Sequence, residues 1–477
     1  MIENRKFYIN GAWVDPVAGT DFNVLDPSTE ETCAIIALGG QADTDAAVAA
    51  AKRALQTWAT TTLAERLELT QRILECYNAR AEDMSEAISL EMGAPIDLAR
   101  EQQTPLGSSH IESFIRAAET FELQHPLGPQ APTTQVRYEP IGVCGLITPW
   151  NWPMNQVALK AIPALLAGCT SILKPSEIAP LSSMLFAEIM HEAGTPPGVF
   201  NLVNGDGPGV GTQLSVHEDV QMISFTGSTR AGIAISKNAA DTLKRVSLEL
   251  GGKGANIVFA DADEEAVTRG ALHCFNNTGQ SCSCPSRMLV ERPRYEQAVE
   301  EAARAADKMT HAKSGDVDWT MGPVVSEVQF DHIQRLIEEG ISEGARLVAG
   351  GPGRPDGVNR GYYSRATVFA DVSNEMQIAR EEIFGPVLTL IPFDTEEEAI
   401  EIANDTPYGL SNYVQSEDPE KRNRVALRLR SGTVEMNGQS RGAGCPFGGV
   451  KASGNGREGG KWGIEEFMEV KAMSGWG

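Results

Sequence analysis

The chain has 477 residues, 42% hydrophobic and 22% charged, with a formal net charge of −24. At about 150 residues per domain that length suggests two to three domains with sizeable cores. The acidity excludes a phosphate-backbone binder, which needs a basic footprint, so no nucleic-acid partner is expected.

The amino terminus, MIENRKFYINGAWVDP, lacks the apolar core and small-residue cleavage site of a signal peptide. After this strand-and-turn opening, helical patterns run from about Asp43 to Phe121. Asp43 reads as a cap, and a longer amphipathic run stops at Gly93 and Pro95. TTQVRYEP reads as an exposed, alternating strand. From Gly142 the short apolar runs GVCGLIT, CTSILK, VFNLVN, VQMISF and RVSLEL alternate with helix-length segments, which implies crossover units and a parallel sheet buried on both faces. A second series begins near GANIVFA and continues through SRMLVE, RLVAG, ATVFADV and VLTLIPF, so two α/β domains meet close to Gly251. GGPGRPDGVNRGYY is a surface loop by composition, and SRGAGCPFGGVKASGNGREGGKWG is a long glycine-rich loop of the kind that often carries function. No apolar run approaches the roughly 18 residues of a membrane span, since Lys160 interrupts even VALKAIPALLAG, and no membrane partner is expected. Cysteines at 33, 76, 144, 169, 274, 282, 284 and 445 are too sparse for a disulfide framework and imply reduced thiols in a cytoplasm.

Several stretches could carry chemistry. NNTGQSCSCPSR sets Cys282 and Cys284 among small polar residues between a helical segment and a strand. A zinc site would recruit His273, Cys274, Cys282 and Cys284, whose spacing fits no paired-knuckle pattern, so no metal is expected. A packing role is weakened by neighbours that leave the sulfur accessible. A nucleophilic thiol needs help forming its thiolate, and no histidine stands out as its partner.

In SLELGGKGAN, Glu249 ends a strand before a Gly-Gly turn. Burial there raises a carboxyl pKa toward that of a general base near neutrality; a glutamate capping the turn is the alternative. In MISFTGSTRAGIAIS a strand runs into Gly227, and Ser228 and Thr229 can cap the following helix, which makes an anion site fit for a pyrophosphate. NGDGPGVG misses the dinucleotide spacing and reads as a turn near the ligand. In SILKPSE, Lys174 ends a strand and Glu177 offers a carboxylate that accepts from a ribose diol and repels a 2′-phosphate; a solvated turn pair is the alternative. In LITPWNWPMNQ, the Asn151 amide could stabilise an oxyanion or cap the next helix.

Taken in order, TPWNWPM, LKPSE, FTGST, LELGGK, GQSC, EEIFGP and PFGG, flanked by FYINGAWV and IEEFMEVK, resemble the aldehyde dehydrogenase superfamily over nearly the whole chain. The resemblance implies an α/β fold of two doubly wound parallel-sheet domains with a small β oligomerisation arm. A Rossmann-like NAD-binding domain would span 1–122 and 141–250, a catalytic domain 251–445, and the arm and bridging segment 123–140 and 446–477. A homodimer or a dimer of dimers follows from that arm.

By the same resemblance, Cys282 is the nucleophile, Glu249 the base that activates the hydrolytic water, and Asn151 the oxyanion donor together with the Cys282 backbone N–H. Lys174 and Glu177 would hold the adenosine ribose, Gly227 and Ser228 the pyrophosphate, and Glu382 and Phe384 the nicotinamide ribose and ring. Thr148, Trp150, Gly207, Thr226 and Leu250 would complete the cofactor site. The implied reaction oxidises an aldehyde to its acid with NAD⁺ as hydride acceptor, with NADP as the weaker alternative. It passes through a thiohemiacetal and a thioester on the cysteine, and the cationic ring would stabilise a thiolate that no histidine supports.

A coenzyme A-acylating enzyme would need no base, so Glu249 counts against it. A cysteine-dependent esterase without redox work, or a fold retained as a structural protein, is the reading from another class. Two positions depart from the family's pattern. Glu435 in GTVEMN stands where an apolar strand residue is usual, and Arg441 at the substrate entrance is expected to favour aldehydes with a distal carboxylate. Trp150 and Trp152 leave aromatic or long-chain aldehydes open, and Cys284 is expected to be a bystander.

Overall fold

The structure is a computed structural model that describes residues 1–476. An eight-stranded sheet has a parallel centre running, in spatial order, Arg245–Glu249, Met222–Thr226, Val143–Ile147, Thr170–Lys174 and Phe200–Leu202. Antiparallel strands close both edges: Gly454–Asn455 on one side, and the hairpin of Phe7–Ile9 with Ala12–Val14 on the other. Helices cover both faces. Leu69, Ile73, Met84, Ile111 and Leu165 share one apolar core with Leu146 and Leu173, while Val48, Ala51 and Ile235 pack on the opposite face against Ile147, Ile172 and Phe225. Burial on both faces explains the unbroken apolar runs of these strands.

Gly40, not Asp43, caps the first helix, Gln41–Trp58. Asp43 stands one turn inside, where its carboxylate accepts from the Gly40 N–H at 3.1 Å and from the Val17 N–H at 2.8 Å. A side chain that reaches back to the cap residue and also to an earlier loop is most useful at the third helical position.

The second sheet has seven strands in the order Arg346–Ala349, Thr367–Ala370, Val387–Phe393, Arg287–Glu291, Ala255–Val258, Ser411–Gln415 and Thr433–Met436, parallel except at its first pair. Ser411–Gln415 has no apolar run in the sequence, yet it is buried throughout. Its polar groups are satisfied sideways: Asn412 Oδ1 accepts from the Ala255 N–H at 2.9 Å, and Gln415 Nε2 donates to Asn256 Oδ1 at 3.0 Å.

A small antiparallel sheet joins Gln124–Pro126, Thr134–Pro140 and Met468–Ser474, with Thr134–Pro140 in the middle. The stretch 446–477, expected as one arm and bridging piece, is therefore divided. Gly454–Asn455 extend the first sheet, and the helix Gly460–Glu466 buries Ile464 in that sheet's core. Within 446–477, Met468–Ser474 is the part that joins the small sheet.

The chain passes between the large sheets at Leu250–Gly254, so the carboxyl ends of the first sheet's strands face the segments that lead into the second. Among the described residues, no helix is long and apolar enough to cross a membrane.

Candidate active site

The loop before Arg287–Glu291 is shaped by backbone constraint. Asn277 and Thr278 adopt left-handed φ of 51° and 58°, followed by Gly279 at 71°, where any side chain would run into the Gly385 carbonyl. Left-handed non-glycine residues cost about 1–3 kcal/mol each and persist only where the surroundings hold them. Here Asn277 Nδ2 donates to the Asn151 carbonyl at 2.9 Å, Gln103 Nε2 donates to the same carbonyl at 3.1 Å, and Thr278 Oγ1 donates to the Gly322 carbonyl at 3.1 Å. Asn151 Nδ2 donates to the Gln280 carbonyl at 3.0 Å, and Trp152 Nε1 to Ser281 Oγ at 2.8 Å. Asn151 is thus tied to the cysteine loop and does not cap the helix that starts at Pro153. Gln103 and Asn277 escaped the sequence reading, because nothing in their local pattern shows which carbonyl they hold.

Cys282 lines a cavity of about 460 Å³ with Trp152, Asn155, His110, His273 and Tyr413. Burial, then the carboxyls of Glu382 and Glu249, push its thiol up to about 12. Cys284 is buried instead, its sulfur 3.6 Å from that of Cys274.

Glu249 closes its strand opposite Thr226 and is 2% exposed. Its carboxylate oxygens accept no hydrogen bond, and Oε1 lies so close to Gly448 that a Cβ there would come within 2.6 Å. Burial raises its pKa well above the ordinary value and the charge of Glu458 adds to this, while Lys160 and Arg457 pull it down. Lys160 and Glu458 form a buried ion pair. Glu249 does not itself line the cavity that holds Cys282. Lys160 had read only as an interruption of an apolar run; a lysine on a fully buried helix requires a counter-ion, and that was the available signal.

The expected cofactor residues gather at the carboxyl edge of the first sheet. The hydroxyls of Thr148 and Thr226 are buried without partners. The Gly227 N–H donates to the Glu249 carbonyl at 3.0 Å, and Ser228 Oγ accepts from the Ala231 N–H at 3.3 Å, capping the helix Thr229–Ala239. Thr229 does not share that cap; its hydroxyl donates to the Ala452 carbonyl at 3.1 Å. Lys174 Nζ, its pKa lowered by burial, donates to the carbonyls of Pro175 and Gly205 and, at 3.3 Å, to the Glu177 carboxylate. Gly207 opens the next turn, and Leu250 packs on Gly232.

Across the gap, Glu382 Oε1 accepts from the Gly252 N–H at 2.9 Å, with its carboxyl raised to about 7 by burial. Phe384, held at a φ of 54° by Gln329 on its carbonyl at 3.0 Å, meets Trp150 edge-on at 5.4 Å. Orphaned hydroxyls, a capped helix amino end and a carboxylate at the carboxyl edge of a parallel sheet fit a dinucleotide.

At the cavity's outer wall, Arg441 Nε lies 2.9 Å from Glu435 Oε1, and its guanidinium stacks over Phe447 at 4.4 Å. Arg441 is thus not the free cation that the sequence suggested. Burial lowers His273 to about 4 and also lowers His110, so both imidazoles are neutral near pH 7.

A model of the aldehyde dehydrogenase family matches residues 13–473. A 3-succinoylsemialdehyde-pyridine dehydrogenase from a Pseudomonas species is 48% identical, over 100% of this chain and 99% of its own. Among solved structures, an aldehyde dehydrogenase from Bartonella henselae is 60% identical with a TM-score of 0.98, covering 99% of this chain and 100% of that one. A mutant of aldehyde dehydrogenase C from Pseudomonas syringae, complexed with NAD⁺ and octanal, is 48% identical with a TM-score of 0.97, covering 99% and 97%. The chain belongs to the aldehyde dehydrogenase family.

Proposed function

We propose that this protein oxidises an aldehyde to the carboxylic acid with NAD⁺ as hydride acceptor, through covalent intermediates on Cys282. The observation that carries this is the tethering to Asn151 of the loop whose Cys282 lines a cavity of about 460 Å³. The Cys282 sulfur attacks the carbonyl carbon, and the resulting oxyanion accepts from the Asn151 amide and the Cys282 backbone N–H. Bound NAD⁺ would supply the hydride acceptor, and a positive charge that would favour the Cys282 thiolate. The acyl group left on Cys282 is a thioester. Glu249 takes a proton from the water that attacks it; the acid leaves and the thiol is restored. A carboxyl with a raised pKa is a stronger base once ionised, so hydrolysis speeds up as pH rises.

Lys174 and Glu177 bind the adenosine ribose, and the Glu177 carboxylate favours NAD⁺ over NADP⁺. Thr148, Thr226, Gly227, Ser228, Gly207 and Leu250 surround the phosphates and the adenosine side, while Trp150, Glu382 and Phe384 orient the nicotinamide end. The octanal complex and the name 3-succinoylsemialdehyde-pyridine dehydrogenase support an aldehyde substrate. The arm supports a homodimer or a dimer of dimers, and free cysteines at all eight positions suit a reducing cytoplasm.

The test is NADH absorbance with NAD⁺ and a panel of aldehydes, without coenzyme A. Cys282→Ser is expected to lose at least about a thousandfold in kcat. Glu249→Gln is expected to keep a first-turnover burst of NADH and lose steady-state turnover. Full activity in the serine variant, or turnover only with coenzyme A, would defeat the proposal.

A further inference from the structure

We infer that Glu435 is a specificity-determining residue: by closing an ion pair with Arg441 in the cavity wall, it selects uncharged aldehydes and disfavours those bearing a carboxylate. This rests on the aldehyde-oxidising reading above. Glu435 lies on the edge strand Thr433–Met436, opposite Tyr413 in register, and both face the cavity that contains Cys282. Its side chain is 13% exposed, and Arg441 lies against it at 2.9 Å with its guanidinium carbon 4.4 Å from the centre of the Phe447 ring.

Among the described residues, no other one lining that cavity carries a charge near pH 7, since His110 and His273 are neutral and the remaining groups are uncharged. The formal charge of the wall is therefore zero only because Glu435 is there. A carboxylate approaching Arg441 must share it with Glu435 or displace it, and either way two like charges end up close together in partly desolvated space. An uncharged aldehyde meets none of this repulsion. The pair is partly exposed, with the Arg441 side chain 33% and the Glu435 side chain 13% accessible, so it adds little stability, and its place in a substrate wall is better explained by selection than by folding.

The experiment compares kcat/KM, followed by NADH formation in the full-length enzyme, for 4-carboxybenzaldehyde and for its methyl ester, which has nearly the same shape without the charge. The native enzyme is expected to prefer the ester by about tenfold or more. Glu435→Gln should raise the acid-to-ester ratio by about tenfold, and adding Arg441→Gln to that variant should abolish the gain. Arg441→Gln alone leaves Glu435 uncompensated and should lower the ratio, which keeps the idea testable if Glu435→Gln does not fold. Equal use of both substrates by the native enzyme, a ratio within about twofold of native in Glu435→Gln, or a rise in Arg441→Gln would overturn the inference while leaving aldehyde oxidation intact. Absence of NADH with every aldehyde would instead remove the reading beneath it.

Discussion

Cys282 carries a thiol that its surroundings hold in the protonated form. Burial, and the nearby carboxyls of Glu382 and Glu249, push the thiol up to about 12 in the cofactor-free protein, so the neutral form dominates near neutral pH. Labelling of Cys282 by iodoacetamide, followed by mass spectrometry, is expected to rise about tenfold per pH unit between 7 and 10, and to accelerate on adding NAD⁺. A rate independent of pH and of NAD⁺ would show that the thiolate is stabilised by the protein alone. Cys282, Asn151 and Glu249 were legible in the sequence because each stands in a short stretch with an unusual local pattern. Lys160 and Glu458 were not, since the pair joins residues 298 positions apart and neither partner has a telling neighbourhood. The Glu435–Arg441 contact was half legible: both residues stood out, but nothing in their local pattern shows that they pair.

The helix Leu181–Glu192 starts after Pro180 without a capping side chain of its own. Glu91, from the last turn of the helix Ala81–Met92, supplies the acceptor: its carboxylate takes the N–H groups of Leu181 and Ser182 and the Ser182 hydroxyl. A carboxylate that is unfavourable at its own helix's carboxyl end is favourable at the amino end of its neighbour. Glu91→Ala leaves two amide groups orphaned in a dry core and is expected to cost about 3 kcal/mol by chemical denaturation. Thr62→Ala, which removes an exposed capping box with Glu65, is expected to cost about 1 kcal/mol. Equal losses would mean that Glu91 does no more than an ordinary surface cap. Helix and strand existence was readable wherever burial was two-sided and apolar, as in Val143–Ile147 and Thr170–Lys174. It failed at Ser411–Gln415, where polar side chains are buried by bonding across strands, a relation that periodicity does not record.

At the scale of the molecule, the strand Met468–Ser474 pairs with Thr134–Pro140 on one side and leaves its other edge open, with Val470 64% exposed. An open edge with apolar side chains is a pairing surface, which suits the assembly proposed above. Removing residues 471–477 keeps Phe467 and Met468 in the core and is expected to yield a smaller species by sedimentation velocity. An unchanged mass would mean that this strand does not join subunits. TTQVRYEP was visible as a strand, whereas the closing segment entered only through the family resemblance, because pairing across most of the chain leaves no local trace. One last consequence follows from residues 437–446, which wall the cavity mouth between Thr433–Met436 and the Phe447–Glu458 bridge and belong to no strand or helix. Insertions or deletions there shift no register and disturb neither apolar core, whereas changes at Leu250–Gly254 alter the junction of both sheets. Evolution, or an engineer, can therefore refit this scaffold for new aldehydes by lengthening a rim that the folded state hardly notices.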